Sequence, residues 1–141
     1  MKSNKLTANE VSKKAMKIAF DYYSSGRARV QNVSTDRKHK GYDLLVPRRG
    51  KALRVEVKGC SKEWQIPDFF HTEFNEQRQL VADILCVVYL IGKKTTLCEI
   101  PRKAIRPEWV EETRRYRISS KMKKEDVLKK YLKPLEKKRA V

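Results

Sequence analysis

Eight consecutive residues, Ile84–Ile91 (ILCVVYLI), carry no charge and are rich in β-branched and aromatic side chains. A run of that length and composition reads as a strand buried on both faces. Such a strand needs a layer packed against each side, so the chain must build a sheet with cover above and below. At 141 residues there is room for one domain of this kind, with a core that needs no staple or metal.

The segments around the run supply the other layers. Residues 7–24 read as a helix, with Val11, Ala15, Ile18, Ala19 and Tyr22 on one stripe and Gly26 as a stop. Strands are expected over Arg29–Val33, Tyr42–Val46 and Ala52–Lys58, the last two joined by a turn at Pro47-Arg48-Arg49-Gly50. A helix is expected over residues 73–82. Beyond the apolar run, Gly92 turns the chain into a strand over Thr95–Ile100. A short helix over Glu108–Arg115, an edge strand over Tyr116–Ser119 and a final helix from Ser120 to about Tyr131 complete the pattern. The expected fold class is therefore α/β, in the order α-β-β-β-α-β-β. Residues 1–113 form the main domain, and 114–141 a basic helical extension packed on it. The apolar stripe around Leu128 is either a homodimer face or a surface that docks on the core.

Charge narrows the partner. Lys and Arg total 34 against 17 Asp and Glu, a net +17. Residues 114–141 alone carry twelve basic against three acidic residues. A surface of this kind attracts polyanions, chiefly nucleic acid or an acidic membrane face. The final helix is too rich in lysine and too poor in bulky apolar residues to insert into lipid, and no segment reads as a membrane span. Cys60, Cys86 and Cys98 are odd in number and lack metal-ligand spacing, and with His39 and His71 they make no zinc site. They read as reduced thiols in or near the core, with a Cys86–Cys98 bridge across a hairpin as the minor alternative. A cytoplasmic protein is expected.

Chemistry gathers on the central hairpin. Glu56 and Lys58 are two apart on one strand and so share a face, while Leu53, Val55 and Val57 point the other way. Asp43, on the preceding strand, comes within pairing reach of Glu56 if the turn at 47–50 closes the hairpin. Two carboxylates brought together need a counter-charge. Mg²⁺ or Mn²⁺ would supply it, with water and phosphate filling the other positions. Lys58 would then orient or deprotonate the attacking water. Glu10 has two readings, a further metal ligand or one half of a Thr7-x-x-Glu10 capping box.

Asp43-x12-Glu56-Val57-Lys58 resembles the motif of the PD-(D/E)xK nuclease superfamily, which includes restriction endonucleases and archaeal Holliday-junction resolvases. The chain is more closely similar to the domain at the C-terminus of the plant protein NO VEIN and of many helicase-like proteins. That similarity rests on Ala15-Met16, Gly26-Arg27, Val33-Ser34, Gly41-Tyr42-Asp43-Leu44, Val55-Glu56-Val57-Lys58-Gly59 and Asn75-Glu76, in order. Tyr42 stands where the superfamily name has proline. The resemblance implies a restriction endonuclease-like core, α-β-β-β-α-β, with a mixed central sheet flanked by helices. It also implies DNA rather than RNA as substrate, a metal site completed by a glutamate on the first helix, and a site-adjacent role for Asn75, Glu76 and Gln77. For DNA contacts the candidates are the loop Arg37-Lys38-His39-Lys40, Ser34, and Lys123 and Lys124 of the last helix. Trp64 and Trp109 read as core aromatics or base-stacking residues.

The leading expectation is thus a Mg²⁺- or Mn²⁺-dependent DNA endonuclease. The alternative is a non-catalytic nucleic-acid-binding module of the same fold that works with a partner such as a helicase.

Overall fold

The computed structural model describes residues 6–25, 29–36, 41–133 and 135. The loop Arg37–Lys40 and the Gly26-Arg27 pair lie outside the described residues.

The chain opens with helix α1 (Ala8–Ser24). It is capped by Thr7, whose hydroxyl accepts from the Glu10 amide while the Glu10 carboxylate accepts from the Thr7 amide. The strands follow as β1 (Gln31–Asn32), β2 (Leu44–Arg48), β3 (Lys51–Cys60), β4 (Ile84–Ile91), β5 (Lys94–Pro101), β6 (Val110–Glu112) and β7 (Tyr116–Ile118). Helix α2 (Lys124–Lys130) and strand β8 (Leu132–Lys133) come last. The main sheet has the order β1-β2-β3-β4-β5-β8; β6 and β7 form a separate hairpin. Within the main sheet only β3 and β4 run parallel, so the sheet is mixed and the fold is α/β.

The apolar run is β4, at the bounds its composition predicts. Its side chains divide between two cores. Cys86 and Val88 join Val55, Val57 and Leu97 beneath Ala15 and Ala19 of α1. On the opposite face, Leu85, Val87 and Tyr89 pack with Phe69, Phe74, Tyr116, Ile118 and Leu128. One core is therefore closed by a helix. The other is closed by the β3–β4 connection, the β6–β7 hairpin and α2.

Three expectations change. No α-helix forms over residues 73–82, and Glu73 only ends a 3₁₀ turn. Asn75 Oδ1 instead accepts from the Gln77 and Gln79 amides, both at 2.9 Å, and closes a tight turn flanked by the Phe74–Leu80 bridge. An asparagine that satisfies backbone donors in this way outcompetes the helix it would start. Residues 108–115 hold β6 and a turn, because Val110 pairs with Ile118 and both are buried. Lys123, not Ser120, occupies the N-cap of α2.

The segment from Arg114 supplies Tyr116, Ile118, Met122 and Leu128 to the second core, and β8 pairs with β5. Leu128 is wholly buried, so the stripe around it docks on the core. All three cysteines are free. Cys86 and Cys98 face opposite cores, and neighbouring side chains on opposite faces of a sheet cannot form a bridge. Among the described residues no helix is long and apolar enough to cross a membrane.

Candidate functional site

The β2–β3 hairpin closes tightly. Arg48 pairs with Lys51 across a two-residue turn in which Arg49 (φ 52°) and Gly50 (φ 78°) are both left-handed. Two-residue turns of this kind match the twist of paired strands and fix their register. The register Leu44↔Val55, extended by one step, sets Asp43 beside Glu56. Backbone bonds secure that step: the Asp43 amide donates to the Val55 carbonyl and the Val33 amide donates to the Asp43 carbonyl, both at 2.8 Å. The Asp43 side chain is also held, with Oδ2 accepting from the Val57 amide at 2.9 Å.

Alternation along β3 sends Val55 and Val57 under α1 and Glu56 and Lys58 to the other face. Glu56 is only 2% exposed. Lys58 Nζ lies 3.5 Å from Glu56 Oε2 and 2.9 Å from Glu73 Oε1. Glu73 ends a short 3₁₀ turn, His71–Glu73, and its carboxylate also accepts from the Phe70 amide at 2.8 Å. Three carboxylates and one ammonium thus share a largely buried spot. The ammonium further lies 4.9 Å from the ring centre of the buried Phe69, a cation–π contact.

Burial is costly for this many like charges. Desolvation raises the Glu56 pKa, and its hydrogen bond with Glu73 and the charges of Asp43 and Glu73 add to the rise. Burial likewise raises Asp43, with the Val57 amide bond as the main opposing effect. A carboxylate this far desolvated beside two others is an arrangement that a divalent cation would relieve.

Two glycines of the motifs have steric reasons. Gly59 follows Lys58 where α1 crosses β3, and a Cβ there would sit 2.8 Å from Ala15 Cβ and 2.9 Å from the Val11 carbonyl. Gly41, at φ +92°, lies against the Thr72 carbonyl, and a Cβ would overlap that oxygen. Gly41 thus admits the turn that carries Glu73 close to Asp43.

The other predicted residues distribute as follows. Of the two readings of Glu10, the capping box is the one the structure shows; its carboxylate is exposed and tied to Thr7. That hydrogen bond lowers its pKa. Asn75, Glu76 and Gln77 sit in the turn after Glu73, with Asn75 spent on backbone amides. The Ser34 hydroxyl donates to Asn32 Oδ1 at 2.6 Å. Lys124 Nζ donates to the Ser119 carbonyl at 3.1 Å. Trp64 packs on Tyr89 with Lys129 Nζ 5.6 Å from its ring centre, and Trp109 rests on the same core. Glu73 lies two to four positions before the predicted site-adjacent residues Asn75, Glu76 and Gln77, and the sequence does not single it out. Its only local signal is the Phe70–Glu73 spacing, and the meeting with Lys58 is tertiary.

Among the described residues no group of three or more His, Cys, Asp and Glu side chains is arranged to hold a metal ion. Asp43 and Glu56 are a two-carboxylate oxygen set, of the size Mg²⁺ commonly takes from protein. No family model matches the chain, and neither does any curated protein or solved structure.

Proposed function

We propose that this protein is a Mg²⁺- or Mn²⁺-dependent endonuclease that hydrolyses DNA phosphodiester bonds on a restriction endonuclease-like core. The observation that carries the reading is the convergence of Asp43, Glu56 and Lys58 at one face of a closed hairpin. Asp43 and Glu56 would hold the cation through carboxylate oxygens. A bound divalent ion supplies Lewis-acid polarisation of the phosphate and acidifies a water ligand.

The remaining work falls to the chain. The Val57 amide fixes the Asp43 carboxylate through Oδ2. The Lys58 ammonium, held between Glu56 and Glu73, stands where it can orient the attacking water and offset charge on the phosphate. The +17 chain draws the polyanion in, through contacts mostly to phosphates.

A second reading, a nucleic-acid-binding module that does not cleave, draws on the same ion pair. Lys58 is already engaged by Glu73, and no three-ligand metal group is preformed among the described residues. One experiment separates the two. Supercoiled plasmid, linear duplex, single-stranded, branched and RNA substrates are incubated with Mg²⁺ or Mn²⁺ and wild type, Glu56→Ala or Lys58→Ala. Cleavage by wild type and its loss in both variants support the enzyme. Binding without cleavage on every substrate leaves the module, and variants that cleave like wild type sink the site assignment.

A further inference from the structure

Phe70 stands apart from the other large apolar residues. It is 56% exposed, and among the described residues only Leu132, at 40%, is comparable. Its neighbour Phe69 is fully buried, so two adjacent phenylalanines face opposite ways, one into the core and one into solvent.

The backbone beneath the exposed ring is fixed on both sides. Phe69 exchanges both backbone hydrogen bonds with Tyr116, at 2.8 and 3.0 Å. The Phe70 amide donates to Glu73 Oε1, and its carbonyl accepts from the Glu73 amide at 3.0 Å. An exposed ring on so constrained a backbone loses little freedom when it binds a flat partner.

Its position gives the partner's chemistry. Lys58 Nζ lies 5.5 Å from the Phe70 ring centre, and the exposed Arg115 guanidinium lies 5.1 Å from it. The ring is therefore one side chain away from the place where a phosphate would react, with the Arg115 guanidinium plane over it as a second stacking surface. A π-face flanked by cations suits a nucleotide, whose base stacks while its phosphates meet the positive charges. Bases inside a duplex are stacked on one another and expose no face to such a ring.

Resting on the endonuclease reading, we infer that Phe70 is a base-stacking platform beside the scissile phosphate and that the favoured substrate presents an unpaired nucleotide there. Arg115 grips the backbone of the same nucleotide. Single strands and frayed or branched ends belong to this class, and uninterrupted duplex does not.

Binding in the presence of a chelator tests the platform without any contribution from cleavage. The affinity of the full chain is measured by fluorescence anisotropy for a short single strand, for the matching duplex, and for a base-free deoxyribose-phosphate strand of equal length. Wild type, Phe70→Ala, Phe70→Leu and Phe70→Trp are compared across salt concentrations. Phe70→Ala and Phe70→Leu should weaken single-strand binding roughly five- to hundredfold, and Phe70→Trp should restore it. The salt dependence should keep its slope, because no phosphate contact is removed. On the base-free strand all four proteins should bind alike.

Equal affinity of wild type and Phe70→Ala for the single strand overturns the platform. So does a deficit that persists on the base-free strand, since that marks a structural role. Either result leaves the endonuclease reading standing as long as wild type cleaves. Absence of nucleic-acid binding by wild type removes both.

Discussion

Lys58 lies closer to Glu73 than to Glu56, at 2.9 Å against 3.5 Å, although Glu56 is its neighbour on the strand. The lysine is thus positioned by a residue from the β3–β4 connection as much as by its own hairpin. Glu73→Gln keeps an acceptor for the Phe70 amide and loosens the hold on the ammonium. Turnover in Mn²⁺ is expected to fall about tenfold, with KM little changed, because a misplaced catalytic group costs rate more than binding. Steady-state kinetics of Glu73→Gln against Glu73→Ala check this, and an unchanged kcat in both rules out the positioning role.

Glu56 links pH to stability. Burial, then the Glu73 hydrogen bond and the neighbouring charges, raise its pKa above the ordinary 4.5. Between 4.5 and the raised native value, the folded chain keeps a proton that the unfolded chain has released. The associated stability is complete below about pH 4.5 and declines as pH rises through that window. Glu56→Gln removes the titration. In chelator it should be more stable than wild type by about 1 kcal/mol or more at pH 8, and equal to it near pH 4.5. Urea melts at the two pH values test this. Calorimetric titration should show that the same variant has lost Mn²⁺ binding.

Gly59→Ala places a methyl group against Ala15 and the Val11 carbonyl, and a main-chain oxygen cannot rotate away as a long side chain can. The helix must lift from β3, at a cost of about 1–3 kcal/mol. A lower urea midpoint with unchanged slope is the expected result. A midpoint equal to wild type refutes the close contact.

Much of this was legible from local patterns. Helix α1 declares itself by its stripe and its Thr7–Glu10 box, β4 by composition, and the hairpin by alternation around Arg49-Gly50. Asp43, Glu56 and Lys58 were legible because hairpin register follows from strand spacing. Where side chains answer to distant partners, the sequence is silent. Asn75 looks like a helix start until its carboxamide is seen to close a turn. Residues 108–115 look helical because nothing in them announces that Val110 will pair with Ile118. Glu73 and Phe70 reach the site through tertiary contacts, among them the Phe69–Tyr116 pairing and the Lys58–Glu73 ion pair.

Asp83 joins three elements. Its carboxylate accepts from the Arg54 amide at 2.9 Å and the Arg54 guanidinium at 3.3 Å, both on β3, and from Arg102 Nη2 at 3.0 Å, just beyond β5. Burial pushes its pKa up, but the Arg54 bonds and the two guanidinium charges outweigh this and lower it. Its contribution is present above the ordinary 3.8 and is lost as pH falls through the lowered native value. Asp83→Ala should destabilise the fold by about 1–3 kcal/mol at neutral pH by stranding those donors. The deficit should shrink in acid, which urea melts at pH 7 and pH 3 would show.

The pairing of Phe69 with Tyr116 has a consequence in time. Asp43 and Glu56 meet across a two-residue turn, a closure that a short stretch of chain completes quickly. The wall bearing Glu73 and Phe70 is also tied to residues near 116, beyond β4 and β5, and that pairing closes a far longer loop. A growing or refolding chain is therefore expected to bring its carboxylate pair together before the Phe69–Tyr116 pairing completes the wall beside Lys58. The last part of the site's surroundings to close is thus the one supplied by β7, although Asp43 and Glu56 lie in the N-terminal half.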